Sequence, residues 1–150
     1  MQPTTDALEL LTSQHAVIDD LFDFVATLRD PDALSELAAV LTSHLAVEQE
    51  LVYASLSPPL PAEVLEELHA EHREIERTLA ELVWLGVGDE GFDARLARLG
   101  ALLDGHVLYQ EDHLFPTAAS AMSIAQLAEL GGRIASARPI CYTRTLPLAS

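Results

Sequence analysis

Four stretches of this chain place apolar residues at alternating steps of three and four, and each stretch is cut off by residues that end helices. The first stripe is Leu8, Leu11, His15, Ile18, Phe22 and Val25, and the second is Leu37, Leu41, His44, Glu48, Leu51 and Ser55. The third is Leu65, Leu68, His72, Ile75, Leu79 and Leu82. The fourth is Leu96, Leu99, Leu102 or Leu103, His106, Gln110, and His113 or Leu114. This rhythm belongs to helices that turn one face to a core, and four such faces are buried most simply against one another.

The punctuation agrees. Thr4 or Thr5 can cap a first helix that runs to about Arg29. Asp30-Pro31 supplies a capping side chain and then a proline at a first helical position, opening a second helix to about Ser55. Ser57-Pro58-Pro59-Leu60-Pro61 cannot continue a helix, and Pro61 suits the start of a third, from about Ala62 to Leu85. The glycine-rich run 86–91 reads as a loop. A fourth helix is predicted from about Phe92 to Phe115, with Pro116 marking its end. Ser123 and Gln126 form a capping box for a shorter fifth helix to about Ala137. Its apolar positions Ile124, Leu127, Leu130 and Ile134 suit either a cap on the bundle or a face that pairs subunits, and 138–150 reads as irregular. The predicted fold is all-α: an up-down-up-down antiparallel four-helix bundle over about 5–118, with a short C-terminal helix and tail over 119–150, in one domain.

Charge narrows the partners. Twenty-four acidic against eight basic residues give a formal charge of −16, which repels nucleic acid and anionic lipid. The acidic surface reads as solvated faces that keep the protein in solution as a monomer or weak homodimer. No apolar run reaches the roughly 18 residues of a membrane span. Residues 1–6 lack the pattern of a signal peptide, and the one cysteine, Cys141, has no internal partner. A reducing, cytoplasmic setting is the expectation.

Every predicted bundle helix carries a histidine in its apolar seam: His15, His44, His72 and His106. Each falls near the middle of its helix, so in an antiparallel bundle all four come to one depth. Alone, each would be an ordinary hydrogen-bonded core histidine. Four at one level of a leucine-rich core must each find a polar partner, which a shared cation provides economically. Glu48 lies one turn beyond His44, and a buried carboxylate likewise costs several kcal/mol unless compensated.

The donors on the fourth helix are less regular. Four residues beyond His106 stands Gln110, a neutral and weak ligand, whereas Glu111 at the next position is a carboxylate about 140° round a regular helix from His106. Glu111 is the preferred donor, which requires a local distortion such as a π turn. His69, three residues before His72, is the next imidazole within reach. His113 shares the face of His106 but lies about 10 Å along the axis, and is an outer partner or simply core. The expected metal donors are therefore His15, His44, Glu48, His69, His72, His106 and Glu111. Imidazoles and carboxylates without thiolate suit iron, manganese or zinc, and this many donors suits two ions better than one.

Gln14-His15-Ala16-Val17-Ile18-Asp19-Asp20-Leu21-Phe22, His44-x-x-x-Glu48, Glu71-His72-Arg73-Glu74-Ile75 and His106-x-x-x-x-Glu111 before Leu114-Phe115-Pro116 together resemble, in order, the signature of the hemerythrin-like (HHE cation-binding) family over about residues 6–118. The resemblance implies a four-helix bundle around a non-haem pair of irons, joined by an oxo or hydroxo oxygen and two bridging carboxylates. Those carboxylates would be Glu48 and Glu111, with His15 and His44 serving one iron and His72 and His106 the other. Oxygen-carrying members have histidines four apart in the third helix, where this chain has Leu68 and His72. In that departure the chain is similar to an actinobacterial subgroup associated with decomposing hydrogen peroxide, in which a tyrosine at the position of Tyr53 approaches the iron. Tyr53 is on that ground a further candidate ligand, while ordinary helix geometry sets it about 140° from Glu48, so a plain packing role at the end of the second helix is the equal alternative. The resemblance implies a small-molecule substrate (hydrogen peroxide, O₂ or nitric oxide) and decomposition of peroxide. Reversible binding, storage or sensing of O₂, nitric oxide or iron is the alternative, and a metal-free interaction module is a third.

Overall fold

The computed structural model describes residues 6–57 and 59–137, and among them it contains five helices and no strand. Helix α1 is Ala7–Leu28. Helix α2 covers 31–55, a regular part Pro31–Val47 followed by a π-helical turn Glu48–Val52 and a last turn Tyr53–Ser55. Helix α3 is Ala62–Leu85. Helix α4 covers 92–121, in which Phe92–Tyr109 and Phe115–Ala121 flank a second π-helical turn, Gln110–Leu114. Helix α5 is Ile124–Ala137.

Local chemistry sets the ends. Asp6, rather than Thr4 or Thr5, caps α1: its carboxylate accepts from Glu9 N–H at 2.9 Å in a reciprocal box with the Glu9 side chain. Thr4 and Thr5 lie outside the described residues, as do Pro58, Cys141 and the tail 138–150. Arg29 closes α1 in the left-handed conformation (φ 53°), and Asp30 caps α2 by accepting from Asp32 N–H at 3.0 Å. Ser123 and Gln126 form the expected box at the start of α5.

Pro116 does not end α4, contrary to expectation. The π turn before it bonds Phe115 N–H to Gln110 O, one residue further back than in an α-helix, and the helix absorbs a proline at the start of the segment that follows.

Helices α1 to α4 pack as neighbours around a ring, and α5 lies against α1 and the π turn of α2. The core has two apolar clusters. One includes Leu21, Val25, Leu37, Leu41, Ile75, Leu82 and Leu99. The other includes Leu11, Val52, Leu56, Leu68, Leu114 and Phe115, closed over by Leu127, Leu130 and Ile134 of α5. Three of the four apolar α5 positions thus cap the bundle, while Ile124 is exposed. Trp84, the one tryptophan, sits near the end of α3 and is 88% exposed. No helix of the described residues is long and apolar enough to cross a membrane. Between the two apolar clusters lies a polar layer.

Candidate metal centre

That layer is built from the four long helices, with two residues each from α2 and α4 and one each from α1 and α3. His15, His44, Glu48, His72, His106 and Gln110 are all buried, with His44, Glu48, His72 and Gln110 fully so. The Glu48 carboxylate is the hub. Its Oε2 lies 3.1 Å from His44 Nε2 and 3.9 Å from His15 Nε2, and its Oε1 lies 3.1 Å from both His72 Nε2 and His106 Nε2. The Gln110 amide donates to Oε2 from the far side. His15, His44, Glu48 and His106 each offer one atom to a group whose members lie within 4.8 Å of one another.

Outer contacts fix the rings. His44 Nδ1–H donates to Gln14 Oε1 at 2.8 Å, which leaves Nε2 without a proton and turned inward. His106 Nδ1 donates to Glu71 Oε1 at 2.7 Å, which likewise aims its Nε2 at Glu48. His72 Nδ1 faces the Gln49 amide at 2.8 Å, and a half-turn of that amide converts donor to acceptor. Gln14 and Glu71 therefore belong to the site, although the apolar stripes overlooked both. Gln14 was legible as the polar member of a second stripe, Ala7, Leu11, Gln14, Ile18, Leu21 and Val25.

The two π turns decide what else faces inward. Regular bonding reaches Glu48 N–H and Gln110 N–H, which donate to His44 O and His106 O, and each wide turn begins only after those residues. On α2 this swings Tyr53 onto the face of Glu48: the phenol is 1% exposed, with its oxygen 3.0 Å from His72 Nε2 and 3.3 Å from Gln110 Nε2. Of the two roles open to Tyr53, the geometry fits the one at the site. On α4 the turn comes too late to bring Glu111 in, so Gln110 takes the interior place. Glu111 stays at the rim, half exposed, with Oε2 3.9 Å from His15 Nδ1. His69 is only part-buried and meets the Tyr53 ring edge-on at 5.6 Å rather than the carboxylate. His113 is exposed beside Tyr109, at 5.1 Å, so it is neither core nor an outer partner of the site.

Electrostatics follow from this crowding. Burial alone would raise the pKa of Glu48, but His44 and His106 outweigh it and hold the carboxyl well below the usual range. Burial opposes charge on His106, yet Glu48 and then Glu71 push it up to about 10. For His44 burial prevails over Glu48 and lowers the pKa. Burial, then the Glu48 charge, pushes the Tyr53 phenol far above its usual value, so it keeps its proton.

Whether a metal fits can be judged from atoms left without partners. His15 Nδ1 and Nε2, His44 Nε2, Glu48 Oε1, His106 Nε2 and Gln110 Oε1 are buried and lack a hydrogen bond. Orphaned buried polar atoms are uncommon, and this set, all on residues of one layer, is the lone-pair lining that a cation takes. The residues fit a metal ion.

A helical bundle whose mid-core layer gathers imidazoles around a carboxylate defines a metal-binding bundle protein. Residues 6–118 match the hemerythrin HHE cation binding domain, and the chain belongs to that family. Neither a curated protein nor a solved structure matches it.

Proposed function

We propose that this protein holds iron in its histidine layer and uses it to decompose hydrogen peroxide to water and O₂. The observation that carries the reading is the set of partnerless ring and carboxylate atoms around Glu48. Imidazole and carboxylate donors without thiolate favour iron, and manganese or zinc less. The sharing of Glu48 supports two ions: Oε2 faces His15 and His44, while Oε1 faces His72 and His106. Gln110 occupies the interior place beside Glu48 where a second carboxylate would serve, and Glu111 stands at the rim, 3.9 Å from His15 Nδ1.

Bound iron would supply Lewis acidity and one-electron redox change. The chain supplies the surroundings. A cavity of about 40 Å³ opens beside His15, His44 and His106, walled by Ile18, Phe22 and Leu103. A water molecule takes roughly 30 Å³ of liquid, so only a very small molecule fits. Tyr53 holds a proton at its hydroxyl, 3.0 Å from His72 Nε2, where a departing oxygen atom can receive it. In the overall change one peroxide is oxidised to O₂ while another is reduced to two waters, with the two protons of the first consumed by the second. The apolar wall of the same cavity favours a second reading, reversible binding of O₂ or nitric oxide without turnover.

The test is O₂ release from added peroxide by the iron-loaded protein, followed with an oxygen electrode. Release should vanish in His44→Ala and fall by about tenfold or more in Tyr53→Phe. Iron-loaded protein that releases no O₂ but changes its visible spectrum reversibly with O₂ or nitric oxide would support the second reading.

A further inference from the structure

Open space approaches the histidine layer between α1 and α4. A groove of about 430 Å³ runs along the surface between α1 and α4, and the inner cavity of about 40 Å³ lies next to it, beside His44 and His106. His15, Asp19, Asp104 and Val107 line both, so the two spaces adjoin across these side chains. The groove is acidic. Asp19 and Asp104 stand on opposite walls, Glu111 lies about two turns beyond Asp104 along α4, and Asp20 and Asp23 flank Asp19. None of the ion pairs among the described residues engages Asp19, Asp20, Asp23 or Asp104. The arginines Arg29, Arg77, Arg95 and Arg98 pair with Asp93, Glu74 and Glu81 elsewhere.

An acidic rim alone is ordinary on a chain of this charge. Its inner end is not. His15 is 6% exposed, lines both the groove and the cavity, and has a hydrogen bond at neither ring nitrogen. His44 and His106 are each tied to a side chain at Nδ1, whereas the Glu111 carboxylate stands 3.9 Å from His15 Nδ1, beyond hydrogen-bond reach. His15 is thus the one imidazole of that cluster free to turn without breaking a hydrogen bond, and it stands where the acidic groove meets the core.

We propose that this groove is a divalent-cation uptake site: Asp19, Asp104 and Glu111 collect the ion from solution, and His15 passes it inward to Glu48. The proposal rests on the reading of the layer as a metal centre and adds its loading route. Like-charged carboxylates on low-dielectric walls concentrate cations and speed their capture. Consistent with that, burial and the neighbouring carboxylates Asp23, Asp20 and Asp104 raise the pKa of Asp19, a crowding that a bound cation relieves.

The experiment follows cobalt(II) uptake by metal-free protein, using cobalt's visible absorption in a stopped-flow instrument at low ionic strength. In D19N/D104N the second-order uptake rate should fall about tenfold and lose most of its salt dependence, while the cobalt bound at the end equals that of the wild type. E63Q/E66Q removes the same charge from exposed positions on α3 and should load at the wild-type rate. Equal rates for D19N/D104N and wild type, or equal slowing in E63Q/E66Q, overturn the proposal and leave the metal centre standing. A wild type that takes up no cobalt at any time overturns both. All four positions are exposed, and circular dichroism verifies that each variant folds.

Discussion

Gln14 and His106 show how single side chains set the character of the centre. Gln14 touches no candidate ion, yet its carbonyl fixes the proton of His44 on Nδ1 and so aims Nε2 at Glu48. Gln14→Leu keeps the volume and removes the acceptor. Metal affinity, measured by competition with a coloured chelator, should fall by about 10- to 100-fold. His106 makes the metal-free protein sensitive to alkali. Its pKa rises from 6.5 to about 10 on folding, so its stabilisation is complete below pH 6.5 and is lost as pH climbs through 10. Glu48 works in the other direction: its lowered pKa stabilises the fold above pH 4.5 and is lost as pH falls through the folded value. His44, held neutral by burial, likewise contributes above pH 6.5 and less below. Urea unfolding in the presence of a chelator should therefore show stability falling between pH 6.5 and 10 by on the order of a few kcal/mol. His106→Gln should flatten that slope, and an unchanged slope would place the charge elsewhere.

At the scale of the helices, the stripes of three and four were enough to read off which faces meet and at what depth the histidines lie. Helix period and chain punctuation are local properties, and Asp30-Pro31 and the Ser123 box did what their chemistry requires. The π turns were not legible, because any count along the chain assumes 3.6 residues per turn. Each inserted residue moves everything beyond it by about 100°. That single error accounts for Tyr53 facing inward and for Pro116 lying within α4. The placement of the second turn, after Gln110 rather than before it, accounts for Glu111 at the rim. The close approach of α1 to α4 was equally hidden. A β-carbon on Gly100 would lie 2.9 Å from Phe22 Cζ, and both residues wall the inner cavity. Gly100→Ala should push the Phe22 ring into that space. The better helix propensity of alanine offsets the displacement, so stability should change by less than about 1 kcal/mol. Peroxide turnover by the iron-loaded protein should fall severalfold, and unchanged turnover with unchanged stability would show that Phe22 does not guard the cavity.

Seen whole, the described part of the molecule is two apolar clusters separated by a polar layer in which several buried atoms lack partners. Ions in that layer would link all four long helices across the weakest level of the core. Their removal should lower the melting temperature by about 10 °C, as expected when a tightly held ligand binds only the folded state. Calorimetry of the same sample before and after chelation measures this, and coincident melting curves would deny the layer any structural role. The choice of method is not free. Trp84 already faces water at the end of α3, about 18 Å along the helix from His72. Its emission colour therefore barely changes when the chain unravels, and intrinsic tryptophan light is a poor gauge of this protein's integrity. Helical ellipticity, or an indole transplanted into one of the apolar clusters, is the reporter that can see it come apart.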